Sequence, residues 1–193
     1  SSSGSFKTGE ALLIGDCETT DIFQVTGTNG GVEHSDADNI SAELSKAYTS
    51  GSRVYAVQQI KFFIGYGADP EQPSLRRLTC PALGDCTGEG DELVEGIENM
   101  QILMGEDTDT DFDGSVNRYV HPEYGDSKSG DFVGDRIVST HISLLAVSPY
   151  NNVTTERAPY FFNGAMVRTE DISTDDRYLR KDFTTTVALR NKN

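Results

Sequence analysis

Basic residues are scarce in this 193-residue chain: 16 Lys and Arg stand against 31 Asp and Glu, a net charge of −15. Neutralising phosphates takes a basic face, so this imbalance excludes a nucleic-acid binder. It also excludes docking on anionic lipid through a polybasic patch. No run of about 18 apolar residues occurs, so no segment reads as a membrane-spanning helix. No secretory signal peptide is visible. The phosphate-binding patterns G-x-x-x-x-G-K-[ST] and G-x-G-x-x-G are missing, as is the G-x-S-x-G nucleophile elbow. His34, His121 and His141 are widely separated and lack the paired spacing of a zinc site. Among 31 acids a pair of carboxylates for glycoside chemistry can be drawn anywhere, so drawing one means nothing. We therefore expect no enzyme and no required cofactor.

What is present supports a folded chain. Hydrophobic residues make up 36%, with nine Phe and eight Tyr, which is enough for a packed core and argues against disorder. Residues 1–5 (SSSGS) read as a linker or cloning scar. Residues 6–193 are expected to form a single domain with room for two sheet subregions. The abrupt start leads us to expect an ectodomain whose targeting segment has been removed.

Strand and turn signals dominate, and no helical period survives beyond about three turns. Residues 12–14 and 22–25 read as two short strands joined by a polar stretch, and residues 26–38 as a loop. Leu44 and Tyr48 share a face at i, i+4, which predicts a short helix within residues 40–48. Residues 53–66 (RVYAVQQIKFFIGY) carry apolar side chains on both faces and read as one long central strand. A turn at residues 67–73 leads to a returning strand at residues 75–79. Residues 93–104 combine helical and alternating spacing, read as a turn or short helical entry before a strand. A long acidic excursion spans residues 105–135. Further strands are predicted at residues 136–148 (ended by Pro149), 161–167 and 183–190. The fold class is mainly β: antiparallel sheets, long loops and one or two short helices.

Cys80 and Cys86 enclose Pro-Ala-Leu-Gly-Asp, a loop with turn-forming Pro81 and Gly84. A disulfide is the reading, and closing so small a ring contributes about 2 kcal/mol through loop entropy. It favours an oxidising compartment. Cys17 lies between Asp16 and Glu18, without the His partner or electropositive setting of a catalytic thiol, and is expected to be buried and inert.

The most specific local chemistry is GEDTDTDFDG at residues 105–114. Asp109-x-Asp111-x-Asp113-Gly114 matches the opening of a calcium loop, where alternating carboxylates on a tight turn converge on a hard cation. The twelfth position is Val120 rather than Glu, which rejects an EF-hand. Two readings stay open: a calcium loop of another type, with Asp107 or backbone carbonyls as further ligands, and a solvated acidic loop.

Several segments go beyond generic physics. They are LLIGDC (12–17), DIFQV (21–25), PSLRR (73–77), VEGIENMQILMG (94–105), DRIVSTHISLL (135–145) and DDRYLRKDFTTTVALRN (175–191). In this order and spacing they resemble the PilW family of minor pilins of bacterial type IV pili. Met104 departs from the pattern, which has an aromatic there in many relatives.

The resemblance implies a non-enzymatic, pilin-like head, α+β once a hydrophobic N-terminal helix is counted, related to the type II secretion pseudopilin GspJ. It implies that the full-length form begins with a cleaved leader and that this helix anchors it in the inner membrane, with a periplasmic head. The implied partners are other minor pilins, a tip adhesin and the major pilin below in the fibre, in a complex that primes assembly and ends at the extracellular tip, supporting twitching motility and adhesion. The alternatives are a GspJ-like pseudopilin and a calcium-dependent adhesion module.

Overall fold

The computed structural model describes residues 6–37, 39–67, 72–80, 85–122 and 136–189. The fold is mainly β: the described residues hold twelve strands, β1 to β12, and a 3-10 turn at Thr169–Asp171. The strand registers are antiparallel. The chain divides into two compact units, one from residues up to 62 with 77–91, the other from 63–76 with residues 92 onward.

In the first unit, β1 (Ala11–Gly15) and β2 (Thr20–Gln24) form a hairpin, and β3 (Arg53–Ala56) pairs with the other edge of β1. Leu12 sits opposite Phe23, so both point to one face. They form the buried cluster with Val25, against which Phe6, Ile14 and Leu44 pack. The hairpin turn follows from Asp16, whose Oδ1 accepts the Glu18 and Thr19 backbone N–H groups at 2.9 and 3.0 Å. Cys17 rides on this turn and is exposed, not buried as expected. Its apolar neighbours belong to β1, while the turn itself faces water.

The helix expected within residues 40–48 does not form. Asp21 on β2 accepts bonds from Ser45 N (3.0 Å), Ser45 Oγ (2.6 Å) and Tyr48 Oη (2.7 Å). Ser41 Oγ takes the Glu43 N–H. Lys46 reaches Asp16 at 2.6 Å and Glu18 at 3.0 Å. These bonds give the segment an alternative to the helical ladder.

The Lys46 hydrogen bond, with the Glu18 and Thr19 N–H groups, holds Asp16 at about 2, and Lys46 is raised in return. A depressed carboxylate contributes stability that is complete above the unfolded value of about 4 and is lost as pH falls through the folded value. The Asp16–Lys46 bridge is therefore expected to open between about pH 4 and pH 2. NMR titration of the Asp16 carboxyl should show a midpoint near 2; an ordinary midpoint near 4 would refute the bridge.

The single strand expected at residues 53–66 is two. β3 ends at Ala56, and β4 (Gln59–Tyr66) pairs instead with β5 (Pro73–Cys80). Between them Val57 N donates to Ala11 O at 2.9 Å. The chain changes sheets at this point, so one apolar run serves two ladders. Cys80 and Cys86 form the expected disulfide, with Cα atoms 5.1 Å apart; Pro81 and Gly84 lie outside the described residues.

β6 (Asp91–Glu95) completes the order β4-β5-β6. The helical entry expected at 93–104 is instead the end of β6, Gly96, and β7 (Ile97–Glu106). Gly96 has φ 77°, and its N–H and C=O bond to Pro73 O and Val147 N, which leaves neither group for a helical turn.

The second unit centres on a four-stranded sheet of order β12-β9-β7-β8, formed by β7, β8 (Arg118–Val120), β9 (Ile137–Val147) and β12 (Arg180–Ala188). The strand expected at residues 161–167 is a hairpin, β10 (Tyr160–Phe162) and β11 (Ala165–Val167). Its turn is Asn163-Gly164, with φ 51° and 77°, the left-handed pair a two-residue hairpin requires. Residues 123–135 of the acidic excursion and residues 190–193 lie outside the described residues.

Candidate functional site

Register decides what each face of the four-stranded sheet presents, because paired residues share a face. Met100, Leu144 and Phe183 form one row; Ile102, Ile142 and Thr185 the next; Met104, Thr140 and Val187 the third. This face is apolar, yet Phe183 is 52% and Val187 49% exposed, and the residues on β7 and β9 are partly exposed. The opposite rows are Asn99, Leu145 and Asp182; Gln101, Ser143 and Thr184; Leu103, His141 and Thr186. There Ser143 and Leu145 are buried. His141 Nδ1 lies 3.0 Å from Thr186 Oγ1, and its Nε2 3.4 Å from Ser143 Oγ. The usual sidedness of a half-covered sheet is thus reversed, with the apolar side left open.

At the end of β7 lies the acidic loop. Glu106 and Asp107 are fully buried, which a purely solvated loop would not produce. Glu106 accepts from Arg118 Nε at 2.6 Å. Asp107 Oδ1 and Oδ2 accept the backbone N–H groups of Asp109 (3.2 Å) and Gly114 (2.6 Å), closing the loop on itself. Asn117 ties it further, accepting from Thr108 N and donating to Asp109 Oδ2. Asp107, Asp109 and Asp113 each bring a carboxylate oxygen within 4.8 Å of the others. Asp111 is exposed and stands outside this group. Oxygen donors of this kind suit a hard cation. The alternating pattern pointed at this loop, but Asp107, expected only as a supplementary ligand, is its anchor.

Arg180 had no signal in the sequence. Its Nε donates to Glu98 Oε1 at 2.5 Å and its Nη1 to Asp176 Oδ1 at 2.8 Å. Its guanidinium lies over the rings of Tyr160 and Tyr178, at 5.2 and 5.8 Å from their centroids. Burial works against the charge, but the Asp176 and Glu98 carboxylates outweigh it and raise the guanidinium pKa. Arg180 in turn lowers Asp176.

Fold and surface together define a mainly antiparallel β protein with an exposed apolar sheet face. The family model of type IV pilus-assembly protein W matches residues 61–191, from within β4 to beyond β12, and the chain belongs to that family. Its role is accordingly in type IV pilus assembly, and its association is with the cell envelope and pilus. No curated protein and no solved structure matches.

Proposed function

We propose that this chain is the head of a minor pilin, part of the initiation complex that primes the pilus and is carried to its tip. The observation that carries the reading is the apolar sheet face within the matched span, open at Phe183 and Val187. Covering such a surface removes apolar area from water, at about 25 cal/mol per Å². In this reading the face is covered by the hydrophobic helix of the pilin class and by neighbouring heads. The partners are other minor pilins, a tip adhesin and the major pilin below. The head is periplasmic before assembly and extracellular after it, and the role is not catalytic. A GspJ-like pseudopilin would use the same face; gene neighbourhood separates the two, pilus components in one case and secretion components in the other.

The test is Phe183→Glu in the full-length gene in its host. Phe183 is half exposed, so the head should keep its melting temperature. Surface pili and twitching should fall by about tenfold or more, the factor that about 1.4 kcal/mol of lost docking gives. Normal piliation with normal twitching would defeat the reading.

A second reading, calcium at the acidic loop, is favoured by the convergence of Asp107, Asp109 and Asp113. It would make an adhesive role cation-dependent. Calorimetry on the metal-free protein should then show binding at millimolar calcium or below, lost in Asp113→Ala and kept in Asp111→Ala. Absence of heat with the unaltered chain sinks the site.

A further inference from the structure

On the polar side of the four-stranded sheet, residues of β4, β5, β7, β9 and β12, the β10–β11 hairpin, Gln72 and Tyr178 line a half-open pocket of about 550 Å³. Small-molecule sites span about 300–1,000 Å³. Four aromatic residues, Tyr66, Tyr160, Phe162 and Tyr178, line the space. The charged lining residues are Glu98 and Arg180, and they pair with each other. Arg180 is further held by Asp176.

What remains unengaged is neutral. Among the described residues, the hydroxyls of Tyr66, Tyr160 and Tyr178 make no hydrogen bond to the protein, and Asn99 uses its Oδ1, toward Gln101, but not its amide N–H groups. Burial raises the Tyr160 phenol, which marks partly dehydrated surroundings.

Ligand classes can be separated on these grounds. An anion would meet a guanidinium already shared by two carboxylates, in a chain of net charge −15. A cation would compete with Arg180 for the faces of Tyr160 and Tyr178. A hydrocarbon would bury hydroxyls and an amide without partners, which costs free energy for each group. A neutral polyhydroxylated ring satisfies both halves of the lining. Its C–H faces lie against aromatic rings, and its hydroxyls exchange hydrogen bonds with phenols and the Asn99 amide. We propose that this pocket binds a neutral saccharide. The site lies on the side of the sheet opposite the apolar face, so it stands or falls independently of the assembly reading.

The test is an NMR titration of the 193-residue protein with maltotriose, lactose and N,N′-diacetylchitobiose. Sialyllactose serves as the anionic control and glucosamine as the cationic one. At least one neutral sugar should give saturable shifts centred on Tyr66, Asn99 and Tyr160. Tyr66→Ala, a change at a ring that is 64% exposed, should leave the melting temperature unaltered and weaken binding about tenfold. Tyr160→Phe removes only the hydroxyl and should weaken binding about threefold or more. Silence from all three neutral sugars up to about 20 mM overturns the proposal. So does binding that both variants leave intact, or binding of a charged control at these residues while the neutral sugars stay silent.

Discussion

Replacing Arg180 by alanine is expected to lower the stability of the second unit by about 3 kcal/mol. The side chain is 12% exposed, and its two carboxylate partners, Glu98 and Asp176, are 22% and 23% exposed. Removing the cation leaves two poorly hydrated acids facing each other and strips the rings of Tyr160 and Tyr178 of their cover. Breaking a buried pair from one side costs about 3–5 kcal/mol, and the residual exposure puts this site at the lower end. Lysine should restore less than half of the loss, because an ammonium cannot hold both carboxylates in the geometry of the fork.

The pH dependence follows from Asp176, whose pKa Arg180 lowers. That stabilisation is present above the unfolded carboxyl value of about 4 and is lost as pH falls through the folded value. The gap between the original chain and Arg180→Ala should therefore narrow as pH drops below about 4. Urea unfolding at neutral and acidic pH measures both effects. A loss below about 1 kcal/mol at neutral pH would mean that the carboxylates rehydrate freely and that the cluster is not a structural anchor.

Asp107→Ala is expected to cost about 2 kcal/mol in chelator-containing buffer. Both oxygens of this buried carboxylate accept backbone N–H groups, from Asp109 and Gly114, and alanine leaves those donors without a partner. Asp111→Ala, on the exposed side of the same loop, should change stability by less than about 0.5 kcal/mol. The chelator separates loop closure from any cation effect. Equal, small losses in the two variants would show that the loop is held by its solvated acids alone.

Much of the fold was legible because its signals are local. The β1–β2 hairpin follows from two apolar runs around an Asp that closes its own turn, and β9 from an alternating run that stops before Pro149. The misreadings share a cause: distant partners overrode local spacing. Leu44 and Tyr48 have helical spacing, but Asp21, 27 residues before Tyr48, takes the Tyr48 hydroxyl and both Ser45 groups. The apolar run of β3 and β4 looks continuous because periodicity says nothing about which sheet a residue joins. Within the acidic loop, a D-x-D-x-D pattern ranks its acids alike; burial separates Asp107 from Asp111.

The sequence by itself determined the antiparallel β class, the Cys80–Cys86 ring and the pilus-assembly family, since alternation, short ring closure and segment order are written along the chain. Only the tertiary structure decided that Met100, Leu144 and Phe183 lie in one row, and that Arg180 finds Glu98 across 82 residues. The reason is that strand register and the solvation of a charge depend on neighbours far away in sequence. A one-residue slip of β12 would turn its side chains to the other face and dissolve both the apolar surface and the arginine cluster.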